Sequence, residues 1–156
     1  MSDDQRVGFR ADGISSPLRL PDFAHLAAGL QAVTGPLVAI VDNDDALCSS
    51  LVDLMRSIGY RAEPYCSAET FLTSVNLLNV RCIVVDVHMP GMNGFDLVRK
   101  LHEQGIMTPV ILITALSDTH LDDEAISAGA QFLLRKPFEI EALLDCVERS
   151  LRVKSE

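Results

Sequence analysis

The sequence predicts an α/β fold: a doubly wound sheet of five parallel strands with helices on both faces. Three observations point to it. Between Leu37 and Leu151, short apolar runs alternate five times with segments whose apolar residues recur at three- and four-residue steps. That rhythm implies parallel strands joined by right-handed crossovers. The second run, Tyr60 to Tyr65, contains Pro64, which lacks a ladder donor and belongs on an edge strand. Third, Asp86 stands where the apolar run Cys82 to Val85 gives out into a loop punctuated by Pro90, Gly91 and Gly94. Open α/β sheets collect their chemistry at such strand ends.

The elements follow in order. Residues 1–36 read as an extension, polar and broken by Gly8, Gly13 and Pro17, with a short helix over 22–33. In that segment Asp22 is the N-cap, and Phe23, Leu26, Ala27, Leu30 and Val33 form one face that needs a surface to dock on. Leu37 to Val41 is the first strand, and Leu47, Leu51, Leu54, Met55 and Ile58 line the first helix of the main domain, which ends at Gly59. Ser67 is the N-cap of the next helix, with Phe71, Leu72 and Val75 on its buried side. After the central strand comes a helix carrying Phe95, Leu97, Val98 and Leu101 and closing near Gly105. Val110 to Ile113 is the fourth strand, Asp118 to Ala128 a weaker helix, and Phe132 to Leu134 the fifth strand. The last helix presents Ile140, Leu143, Leu144, Val147 and Leu151, and 152–156 read as a tail. An edge position for the Pro64 strand selects the flavodoxin-like order 2-1-3-4-5, whose switch point lies between strands 1 and 3.

Composition narrows the function. A chain of 156 residues that is 48% hydrophobic suits one domain with a real core. No apolar run has the length of a membrane-spanning helix and the N-terminus lacks a signal-peptide core, so a soluble, cytoplasmic protein is expected. Cys48, Cys66, Cys82 and Cys146 form no C-x-x-C pair, and the histidines show no ligand spacing, which argues against a disulfide framework or a zinc site. A net charge of −9, from 22 acidic and 13 basic residues, argues against direct nucleic-acid binding and is compatible with a cation site.

The expected crevice gathers a specific set of groups. Asp42-Asn43-Asp44-Asp45 follows strand 1 and Asp86 ends strand 3. Converging carboxylates repel one another unless protonated or bridged by a cation, and oxygen donors of this kind suit Mg²⁺. Asp44 and Asp45 are better read as the cap and first turn of the helix. Thr114 ends strand 4 and Lys136 ends strand 5, supplying a hydroxyl and an ammonium beside the same crevice. A carboxylate nucleophile with these neighbours can take up a phosphoryl group as an acyl phosphate.

The segments VDVHMPGMNG, ILITA and AGAQFLLRKPF resemble the receiver domain of bacterial two-component response regulators, and SAETFL resembles the nodulation and nitrogen-fixation type. The resemblance spans residues 37–151. It implies that Asp86 is the phosphoacceptor, that Asp42 belongs to an acidic pair organising Mg²⁺, and that the backbone carbonyl of His88 reaches the metal. It implies that Thr114 binds the phosphoryl group and registers its arrival, and that Lys136 pairs with it. The His88 side chain reads as a loop residue. Two positions depart from the pattern. Asn43 stands where the pair normally has its second carboxylate, so it is expected to ligate without charge and weaken the metal site. Leu133 stands where many receivers carry an aromatic ring, and Phe132 beside it should face the other side of the strand.

The function so implied is a two-component switch. It takes a phosphoryl group from a sensor histidine kinase or histidine phosphotransfer protein, promotes its own phosphorylation and slow dephosphorylation, and is not a turnover enzyme. The chain stops five residues after Leu151, from which we expect no DNA-binding output domain and action through protein partners, a homodimer included. The rival readings are a phosphorylation-independent pseudo-receiver, the receiver fragment of a longer transcriptional regulator, an aspartate-nucleophile phosphatase and a flavodoxin-like nucleotide binder. The phosphatase would want an acid where His88 stands, and the nucleotide binder a glycine-rich loop after strand 1.

Overall fold

The computed structural model describes residues 35–115 and 121–155. The helix expected over 22–33 and its docking lie outside the described residues, as do the first residues of the helix expected from Asp118. Five strands and five helices alternate: β1 (Leu37–Val41), α1 (Asp45–Ser57), β2 (Arg61–Tyr65), α2 (Ala68–Leu72), β3 (Val80–Asp86), α3 (Gly94–Glu103), β4 (Val110–Ala115), α4 (Leu121–Ala128), β5 (Phe132–Lys136) and α5 (Ile140–Ser155). All strand pairs are parallel and the order is β2-β1-β3-β4-β5. Pro64 lies on the edge strand, opposite Ile40 of β1.

Side chains alternate across a strand, so each strand feeds two cores. Ala39, Val41, Ile83, Val85, Val110 and Leu112 pack with Phe71, Phe95, Leu97, Val98 and Leu101 from α2 and α3, and with Ala125 and Ala128 of α4. Val38, Ile40, Cys82, Val84, Ile111 and Ile113 pack with Leu51, Val52 and Met55 of α1 and with Leu143, Cys146 and Val147 of α5. The same alternation separates Leu133, packed on the α3–α4 side, from Phe132, packed on the α1–α5 side. Each fully buried Leu, Ile or Phe contributes about 1.5–3 kcal/mol relative to exposure. Three of the four cysteines are buried and free, and burial pushes the Cys82 thiol up to about 12, so it acts as a core residue.

Three expectations need correction. Val75 is 96% exposed, because α2 stops at Leu72. There the Thr73 hydroxyl donates back to the Glu69 and Thr70 carbonyls, and the Ser74 hydroxyl accepts the Asn76 N–H. Such local side-chain bonds offer the backbone an alternative to further helix. Ile58 and Ile140, read as buried stripe residues, are 46% and 44% exposed, the first as the C-cap of α1 and the second as the first residue of α5. Finally, α5 runs on to Ser155, through residues expected as a tail.

Candidate functional site

The register sets the site. Val41 pairs with Val85 and Asp86 with Ile113, which lays the residues after β1 beside the end of β3. Ala115 pairs with Lys136, so β4 and β5 end at the same level. Asp42, Asp86, Thr114 and Lys136 thus meet at the carboxyl edge of the sheet. Asp42 is 3% exposed, Asp86 8% and Thr114 fully buried. The Lys136 Nζ lies 4.0 Å from Asp86 Oδ2, a loose ion pair on a half-exposed side chain, and the Lys136–Pro137 peptide is cis.

Local chemistry holds these groups. The Asp42 N–H donates to the Tyr65 carbonyl at 3.0 Å, and Asp42 Oδ1 accepts the Asp44 N–H at 2.9 Å. Asp44 in turn caps α1 by accepting from the Leu47 N–H, and Asp45 lies in the first turn, as their residue types suggest. The His88 N–H reaches Asp86 Oδ1 at 3.3 Å. Gly94 opens α3 directly against the end of β3. A Cβ there would stand 3.0 Å from the Asp86 carbonyl oxygen, from Val87 Cα and from Leu112 Cδ2, so no larger residue lets the helix approach so closely.

Burial pushes the Asp42 carboxyl above the usual aspartate value; the bond from Asp44 N–H opposes this, the Asp86 charge adds to it, and Lys136 offsets part of it. A buried carboxylate beside a second one is a place where a cation relieves both. No group of three or more His, Cys, Asp or Glu is assembled among the described residues. Mg²⁺ does not require one: it uses one or two carboxylates with waters and neutral oxygens. Asp42 and Asp86, with the Asn43 amide and the His88 carbonyl in the adjoining loops, are the oxygen donors that could hold such an ion, with one charge fewer than two acids after β1 would give.

Residues 38–148 match the response regulator receiver domain family. The chain belongs to that family. This receiver is 40% identical over 117 residues to the response regulator protein TmoT of Ectopseudomonas mendocina, covering 75% of this chain and 53% of that protein. It is 39% identical over 114 residues to the transcriptional regulatory protein FixJ of Azorhizobium caulinodans, covering 73% and 54%. The chain therefore spans about half the length of the curated relatives it matches. Among solved structures, FixJ-N superposes with a TM-score of 0.70 at 32% identity, over 76% of this chain and 95% of that one. The receiver domain of the Francisella response regulator 1452 gives 0.71 at 28% identity, over 76% and 98%. Family membership sets aside the phosphatase and nucleotide-binding readings.

Two side chains at this receiver's site were not legible beforehand. His88, read as a loop residue, places Nε2 3.1 Å from Thr114 Oγ1. Glu69, inside the SAETFL segment, accepts the Met92 N–H at 3.0 Å and so braces the loop that leaves Asp86. The first could have been suspected from the two-residue step between Asp86 and His88. The second joins residues 23 apart and leaves no local trace.

Proposed function

We propose that this receiver accepts a phosphoryl group on Asp86 from the phosphohistidine of a sensor histidine kinase or a histidine phosphotransfer protein. An Asp86 carboxylate oxygen attacks phosphorus, the P–N bond breaks, and the imidazole nitrogen of the donor keeps the electron pair. An acyl phosphate results. Attack by water later returns the carboxylate and releases inorganic phosphate. Asp42, Asn43, Asp86 and the His88 carbonyl are the residues that would hold Mg²⁺, which, when bound, neutralises charge on the phosphoryl oxygens. Lys136 pairs with the phosphoryl group and Thr114 donates a hydrogen bond to it.

The observation that carries the reading is the nearly buried Asp86 carboxylate at the end of the central strand, with Lys136 Nζ 4.0 Å away and Thr114 on the neighbouring strand. We further propose that the protein works in the cytoplasm by switching protein partners; a net charge of −9 disfavours DNA contact by this chain. Among the described residues no helix is long and apolar enough to cross a membrane. Acetyl phosphate with Mg²⁺ should add one phosphoryl mass to the wild-type protein, and Asp86→Asn should abolish the addition. Unchanged labelling in that variant sinks the assignment. Lys136→Ala and Thr114→Ala should remain folded yet lose the partner-binding change that follows phosphorylation.

Asn43 favours a second reading, a pseudo-receiver that binds partners without phosphorylation, and an unlabelled wild-type protein would select it. The half-length match to relatives such as FixJ, named a transcriptional regulatory protein, supports a third, in which this receiver belongs to a longer regulator.

A further inference from the structure

One residue touches both ends of the proposed switch. The His88 N–H contacts Asp86, while its imidazole Nε2 lies 3.1 Å from the Thr114 hydroxyl; either atom can be the donor, the tautomer deciding. Thr114 is fully buried, which keeps its hydroxyl from water, and the His88 ring is a side-chain partner it meets. A threonine hydroxyl carries a single proton and a single rotor. In the tautomer whose Nε2 accepts that proton, the rotamer is set by His88 and not by whatever occupies Asp86. His88 itself is exposed, and it lines a surface groove of about 520 Å³ shared with Val87, Met89, Gly91, Asn93, Phe95 and Glu124.

We propose that His88 is a positioning residue: a latch that holds Thr114 in its resting rotamer and competes with the phosphoryl group for the Thr114 hydroxyl. The proposal rests on the phosphoacceptor reading of Asp86. A phosphoryl oxygen is a charged acceptor and forms the stronger bond, so it wins the exchange. The released histidine bond is subtracted from that gain, and the latch sets how much phosphoryl occupancy is needed to switch. A net hydrogen bond corresponds to roughly three- to tenfold in affinity.

Two measurements on the full chain test this. In the unmodified protein, the ¹⁵N imidazole signals of His88 should shift in Thr114→Val and stay near their wild-type positions in Thr114→Ser. Identical spectra in wild type and Thr114→Val overturn the latch. In a beryllofluoride titration with Mg²⁺, His88→Ala should bind roughly three- to tenfold more tightly than wild type, and His88→Gln, whose amide oxygen can still accept the Thr114 proton, should stay close to wild type. The gain should vanish in a Thr114→Ala background. Unchanged or weaker binding in His88→Ala, or a gain that survives Thr114→Ala, overturns the latch alone. A wild-type protein that gains no phosphoryl mass and binds no beryllofluoride overturns the phosphoacceptor reading, and the latch with it.

Discussion

The Glu69 carboxylate accepts the Met92 N–H at 3.0 Å, joining α2 to the loop that leads away from Asp86. That bond holds the Glu69 carboxyl below the ordinary glutamate value. Because the folded value is depressed, its contribution to stability is present above the unfolded value of 4.5 and is lost as pH falls through the folded one. Glu69→Gln should therefore lose stability less steeply in acid than wild type, read from urea midpoints between roughly pH 6 and pH 3. Glu69→Ala should also speed hydrogen exchange at the Met92 amide.

Asp42 runs the other way. Burial, reinforced by the Asp86 charge, raises its carboxyl above the ordinary value of 3.8. The metal-free protein gains from Asp42 most fully below that value and loses the gain as pH rises through the folded one. Asp42→Asn removes the loss. Its melting temperature in EDTA at neutral pH should rise by about 2–4 °C, the equivalent of ~1 kcal/mol for a chain of this size, while Mg²⁺ affinity falls. Calorimetry with and without metal checks both.

Asn43→Asp adds the missing charge. A unit charge at about 4 Å is worth on the order of 4 kcal/mol at an effective dielectric of 20, before desolvation. Mg²⁺ affinity should tighten by about one to two decades, and the metal-free melting temperature should drop as three carboxylates crowd one crevice. Equal affinity in a metal titration would remove Asn43 from the site.

Gly94→Ala places a methyl 3.0 Å from the Asp86 carbonyl oxygen and Val87 Cα, neither of which can swing aside. The variant should lose about 1–3 kcal/mol of stability and, on the proposed phosphoryl transfer to Asp86, accept phosphate more slowly, as α3 is pushed off the end of β3. Acetyl phosphate time courses, read by intact mass, measure the second effect.

How much of this was legible depends on distance along the chain. Strand positions, the edge role of Pro64 and the capping role of Asp44 follow from periodicity and local residue chemistry, and they are found where the sequence puts them. That Asp86 and Thr114 share one edge was legible because strand ends are fixed by the same periodicity, and parallel strands bring their carboxyl ends to one edge. The short α2 was misjudged at Val75, where two hydroxyls outcompete the helix for backbone partners. Likewise, His88–Thr114 spans 26 residues and Glu69–Met92 spans 23. Such contacts depend on where loops cross the sheet edge, and no period in the sequence encodes that.

The division of the sheet into two cores has a spectroscopic consequence. The chain has no tryptophan and only two tyrosines, and they fall on opposite sides of the partition. Tyr60 packs against the α1–α5 core, whereas Tyr65 stands in the α2–α3–α4 core, edge-on to Phe71 with ring centroids 5.1 Å apart. Tyr65 also supplies the carbonyl that receives the Asp42 N–H, one peptide away from the acidic cluster. Intrinsic emission from Tyr60→Phe reports one layer and that from Tyr65→Phe the other. The molecule thus carries an unlabelled optical probe for each face, and the two can be read separately while the site fills.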